Sequence, residues 1–163
     1  MNNNSIPEID ILIETSIWLF SNGWTLDTVS LARGQGIDGK EHKKKLYIRL
    51  LESKVEFPNH NSNGPDIIAK KDGLIWKIEC KGLGEGVSQT LRNNFDRALS
   101  STVSYYDQRN NLQIGLAMPR DSTYLGLIRS RIPQALREAI NLWVILWNVE
   151  KKVIEAYSPN QNI

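Results

Sequence analysis

The chain has 163 residues, 20 of them Lys or Arg and 18 Asp or Glu, with 40% hydrophobic and 23% charged residues; these proportions describe one ordinary globular domain and exclude a disordered chain. No apolar run reaches the roughly 18 residues a membrane span needs, and the opening MNNNSIPEID lacks a basic stretch followed by an apolar one, so the sequence predicts a cytoplasmic protein without a membrane partner. The lone cysteine, Cys80, excludes an internal disulfide and any CxxC motif, and His42 and His60 leave little for a zinc site, so hydrolytic chemistry falls to carboxylates, lysine or hydroxyls.

In chain order, a first helix is predicted from about Pro7 to Asn22. Ser5 is its candidate cap, Ile9, Leu12, Ile13, Ile17 and Phe20 recur with helical period, and Asn22-Gly23 supplies the stop. After the glycine-rich ARGQGIDG, the segment LYIRLLESKVE (46–56) reads as a strand, HNSNGP as a loop, and two further strands follow near 66–71 and 74–81. A second helix fits Gly86 to Tyr106, where Val87, Leu91, Phe95, Leu99 and Val103 recur every four residues. LQIGLAM (112–118) suits a buried strand, Ser122 to Ile140 a helix that Pro133 breaks or kinks, and 142–149 with 152–157 a hairpin. The order α β β β α β α β β predicts an α/β fold in which a mixed sheet carries packed helices. One domain is expected over 1–163, with loose ends at 1–5 and 158–163.

Charge is unevenly placed. Residues 1–27 hold Glu8, Asp10, Glu14 and Asp27 and no base, whereas Lys40, Lys43, Lys44, Lys45, Arg49 and Lys54 outweigh Glu41 and Glu52 between 40 and 54. Arg120, Arg129, Arg131 and Arg137 form a second basic stretch. Two such stretches suit a phosphate backbone or a solvated surface, and charge alone does not choose between them.

The most informative segment is GPDIIAKKDGLIWKIECKG (64–82). Asp72-Gly73 is a strong two-residue hairpin loop, because a type I′ turn needs positive φ at both central positions. With that turn Lys71 faces Leu74, Ile68 faces Lys77 and Asp66 faces Glu79. Alternation places Glu79 and Lys81 on the same sheet face as Asp66, with the Cβ atoms of the opposed acids about 4.5–5.5 Å apart. Two unscreened carboxylates at that spacing call for a cation, supplied by Lys77 and Lys81 or by a divalent metal. Hard oxygen donors suit Mg²⁺ or Mn²⁺, with the Cys80 backbone carbonyl as a further ligand. A metal held there lowers the pKa of bound water, and Lys81, two residues beyond the second acid, is placed to position that water for phosphodiester hydrolysis.

Pro65-Asp66 followed by Glu79-Cys80-Lys81 resembles the signature of the PD-(D/E)xK nuclease superfamily, with its restriction-endonuclease-like fold. The resemblance is close over 65–82 and loose, in element order, over about 6–149. It implies a metal-dependent DNA nuclease, an endonuclease, in which Asp66 and Glu79 bind Mg²⁺ and Lys81 assists the attacking water. It also implies an acid from the first helix, for which Glu14 is the candidate metal ligand, and a polar residue from the helix after the second acid, for which Gln89 is the candidate. Arg92 on that helix, with Lys43, Lys44 and Lys45, is the candidate nucleic-acid contact. A chain this short leaves no room for a separate sequence-reading domain, so a homodimer or a larger nuclease assembly is the expected partner besides DNA.

Other readings stand beside this one. The hairpin acids also suit a plain cross-strand ion-pair cluster, and the fold also suits a non-catalytic module that binds nucleic acid or protein, or a structural subunit. GLGEG (82–86) does not complete GxGxxG, no P-loop motif occurs, and neither histidine sits in a metal-binding pattern. Cys80 alternates with Trp76 and Ile78 and reads as core, and the five tryptophans fall mostly in apolar runs, which favours packing over base stacking.

Overall fold

A computed structural model describes residues 5–31, 36–56, 58–59 and 63–163. The first helix, α1 (Glu8–Ser21), starts directly after Pro7, and no side chain caps it. Ser5 is therefore not its cap. Ile6 instead exchanges two 2.8 Å backbone hydrogen bonds with Leu83, which fixes how the chain enters the helix. Gly23, at φ 81°, lets the chain turn out of α1 as its sequence predicts. Residues 1–4 lie outside the described residues.

A short strand that the sequence does not announce follows: β1 (Thr25–Val29) pairs antiparallel with β2 (Ile67–Lys71), with a register shift between Leu26 and Thr28. The segment from 46 onward, read above as a strand, is instead the end of a helix, α2 (Gly36–Glu52), with residues 53–56 following it as turn and loop. A strand would put Leu46, Ile48 and Leu50 on one face; here Leu46 and Leu50, one helical turn apart, are buried while Ile48 is 42% exposed. The same four-residue step sets Lys45 against Asp10 and Arg49 against Glu14 of α1. Lys, Leu, Arg and Glu are good helix formers, and here propensity and long-range pairing outvote a chance alternation.

β2 and β3 (Leu74–Cys80) form the expected hairpin. Asp72 and Gly73 take φ of 51° and 80°, and the register runs Lys71↔Leu74, Lys70↔Ile75, Ile68↔Lys77 and Ile67↔Ile78. Then come α3 (Ser88–Ser104), β4 (Leu112–Pro119), α4 (Ser122–Arg131), α5 (Gln134–Ala139), β5 (Leu142–Asn148) and β6 (Val153–Tyr157). The predicted helix over 122–140 is thus two, with Pro133 at the N-cap of the second, and Asp121 caps α4 by accepting from the Thr123 N–H at 2.8 Å. The molecule is mixed α/β, and its observed order differs from the predicted one by the added β1, by α2 in place of a strand and by the division at Pro133.

The six strands lie in sequence order, antiparallel except for the parallel pairs β3–β4 and β4–β5, which α3 and α4–α5 connect. Helices cover both faces. Ile9, Leu12, Ile13 and Leu19 of α1 pack with Leu50, Ile67, Trp76, Ile78 and Cys80, and Trp76 stands edge-on between Trp24 and Trp143. Phe95, Ala98, Tyr124 and Ile128 pack on the opposite face with Ile114, Leu116, Met118 and Val144. The last six residues, expected to be loose, are tied down: Arg137 donates to the Ser158 and Gln161 carbonyls at 3.2 and 2.7 Å, and Arg129 to that of Ile163 at 2.9 Å. No helix among the described residues is long and apolar enough to cross a membrane.

Candidate active site

The site is built where β3 ends. Asp66 stands one residue ahead of β2, and its carbonyl accepts from the Ser30 N–H at 2.8 Å, while its Oδ2 accepts from the Cys80 N–H at 2.7 Å. The backbone of the adjacent strand thus aims this carboxylate. In an extended strand the N–H and C=O of one residue point to the same edge, so the Cys80 carbonyl shares the edge that Asp66 occupies. Its thiol is buried and pushed well up by burial, then by the nearby Asp66, Glu8 and Glu79, which makes it core rather than nucleophile.

Alternation along β3 buries Trp76, Ile78 and Cys80 against α1 and leaves Lys77 and Glu79 half-buried on the other face, toward α3. There the Tyr105 hydroxyl donates to Glu79 Oε2, and nearby Ser101 also favours the charged carboxylate. Lys81, just past the strand, donates from Nζ to Glu8 Oε2 at 2.6 Å. Glu8 occupies the first turn of α1, where the helix dipole favours a negative charge.

Three carboxylates and one ammonium therefore share the end of β3, and electrostatics records the imbalance. Asp66 keeps a partial opening to solvent yet is closely surrounded by protein; burial first, then the charge of Glu79, raises its carboxyl to about 8 against the pull of the Cys80 N–H. Glu79 is raised in the same way, by burial and by Glu8, against the hydrogen bond from Tyr105. Lys81 offsets little of this because its ammonium is turned to Glu8.

Of the residues the sequence singles out, Asp66, Glu79, Cys80 and Lys81 come together here. Glu14 does not: it accepts from Arg49 at 2.8 Å in a groove beside Trp18 and Trp147, and Glu8, at the start of α1, is the helix acid beside Lys81. Gln89 is exposed and donates to Asn93 at 2.9 Å, and Arg92 is exposed near it. Lys43 and Lys44 are exposed on α2, while Lys45 pairs with Asp10. His42 lines a small recess with Glu8, Ser30 and Asp66, whereas His60 lies outside the described residues.

The sequence does not place Glu8, Tyr105 or His42 at this site. Glu8 carried one usable signal, an acid directly after a proline at a helix start; nothing in the sequence ties Tyr105 to a strand 26 residues earlier.

Among the described residues no group of three or more His, Cys, Asp and Glu side chains is arranged to hold a metal ion. An ion that could be held here would be one that asks for few protein ligands, as Mg²⁺ does when it takes one or two carboxylates and keeps several waters. Asp66 and Glu79 are two such groups, both raised by burial and by neighbouring acids, and Cys80 adds a carbonyl at the same edge. Comparison with family models, with curated proteins and with solved structures finds no match to this chain.

Proposed function

We propose that this chain is a metal-dependent nuclease of the PD-(D/E)xK type that hydrolyses phosphodiester bonds in DNA, with Asp66 and Glu79 as the groups that hold Mg²⁺ or Mn²⁺. One observation carries the reading: Asp66, just ahead of β2, and Glu79 of β3 are both pressed upward, first by burial and then by a neighbouring acid, Glu79 for the one and Glu8 for the other, while the Lys81 ammonium is turned to Glu8. When bound, a divalent ion supplies an acidified water and stabilises charge on a phosphoryl oxygen. The chain's own groups do the rest. The Cys80 N–H orients Asp66, Lys81 orients the attacking water, and Glu8 holds the Lys81 ammonium at the end of β3. Lys43 and Lys44 on α2 and Arg92 on α3, all exposed, serve as phosphate contacts, and a homodimer or a larger assembly would bring a second site to the second strand.

A second reading, a non-catalytic module that binds nucleic acid or protein, is favoured by two facts: no three-ligand group occurs among the described residues, and both Lys81 and Glu79 already have partners. Cleavage of single-stranded, duplex and branched DNA with Mg²⁺, Mn²⁺ or EDTA separates the two. The nuclease reading expects metal-dependent cutting that Lys81→Ala abolishes. If wild type and Lys81→Ala are equally inert on every substrate yet bind DNA with a salt-dependent affinity, the module reading replaces it.

A further inference from the structure

We propose that Tyr105 is the positioning residue for Glu79, fixing one oxygen of its carboxylate so that the side chain is set for a divalent ion before the ion arrives; this rests on the nuclease reading above. Tyr105 is the first residue past α3, and its hydroxyl donates to Glu79 Oε2. A phenol carries the O–H and a carboxylate oxygen accepts, so the direction of that bond is set.

The segment that carries Tyr105 is fastened to β3 itself. Lys77 Nζ donates to Asp107 Oδ2 at 3.1 Å and reaches the Tyr105 carbonyl at 3.5 Å, and Arg109 Nε donates to the same Asp107 oxygen at 2.9 Å. Lys77 precedes Glu79 by two residues on the same strand face. The strand that bears the carboxylate therefore also clamps the turn that orients it. Asp66 is aimed independently by the Cys80 N–H. Asp66 and Glu79 thus each meet a donor from a different part of the fold, a strand N–H for one and a phenol past α3 for the other, and neither has to be ordered when an ion binds.

A phenol that only needs an acceptor for its own proton predicts something different: its removal would move stability and leave metal affinity alone. The test uses the full chain and Mn²⁺ as probe, with affinity read by titration calorimetry, folding by thermal unfolding, and the Mn²⁺ concentration for half-maximal DNA cleavage as a further readout. Tyr105→Phe is expected to fold and to weaken Mn²⁺ binding about tenfold, within the range for partners that orient metal ligands, with the half-maximal concentration rising alike and the rate at saturating Mn²⁺ near that of wild type. Equal Mn²⁺ affinity in folded Tyr105→Phe and wild type overturns the positioning role and leaves the nuclease reading standing. A wild type that neither binds Mn²⁺ nor cuts overturns both. Should Tyr105→Phe not fold, Asp107→Asn, which loosens the clamp without touching the phenol, decides: weaker Mn²⁺ binding supports the role and unchanged binding overturns it.

Discussion

Asp66 shows how far one side chain can be pushed by its place. An aspartate in an unfolded chain titrates near 4, whereas here the carboxyl keeps its proton to about 8. The folded state therefore binds the extra proton, and the stability linked to it is present below pH ~4 and is lost progressively as pH rises to ~8. Asp66→Asn is expected to flatten that slope and to be the more stable protein at pH 8–9, by on the order of 1 kcal/mol or more; urea unfolding across pH reads it, and parallel slopes for the two proteins would refute it. Adding Mn²⁺ at pH 8 is expected to raise the unfolding temperature of wild type and not of Asp66→Asn. For Glu79→Gln the expectation is loss of cleavage with stability unchanged or slightly raised, since repulsion between the acids is relieved and the amide oxygen still accepts from Tyr105. Marked unfolding would make Glu79 a structural group. The hairpin register is legible in the sequence because a two-residue turn reduces cross-strand pairing to counting, and it holds as far as Ile67↔Ile78, with Asp66 one residue beyond. The place of Glu8 is not, because its contact with Lys81 spans 73 positions and depends on where α1 is laid.

Helix α2 departs furthest from what its sequence suggests. Leu46, Ile48 and Leu50 alternate as a strand would, and nothing local cancels that pattern; the deciding contacts, Lys45 to Asp10 and Arg49 to Glu14, bridge 35 positions. The two assignments make opposite forecasts. In the helix, Leu50→Ala removes a fully buried side chain and is expected to cost ~2–5 kcal/mol, while Ile48→Ala, on the open side, is expected to stay within ~0.5 kcal/mol. Comparable losses at both positions, measured in denaturant, would restore the strand. β1 escaped notice for another reason: its five residues, TLDTV, are too few to establish a period, and its register shift breaks the alternation that exists. Pro133, by contrast, acts through its own ring and needs no context, so the break between α4 and α5 was readable at once.

The α/β class is readable from the succession of helix and strand patterns, and the proposed site sits where two distant parts of the chain are laced together. Gly82 is the tight point of that lacing: a Cβ there would come within 2.5 Å of the Glu8 nitrogen and the Ile6 carbonyl oxygen. Gly82→Ala is expected to displace the start of α1 and part Glu8 from Lys81, lowering cleavage well before the sheet is compromised. Unchanged activity would show that the Glu8–Lys81 contact is dispensable.

The double hydrogen bond between Ile6 and Leu83 also bears on how the protein comes into being. The hairpin that carries two of the acids can form from neighbouring residues alone, but the third acid arrives only by closing a loop of some eighty residues, an entropic toll levied before any reward. A maturing chain acquires its β2–β3 pairing early and its third acid late, and the proposed nuclease is expected to recover cutting on refolding only after the sheet signal returns.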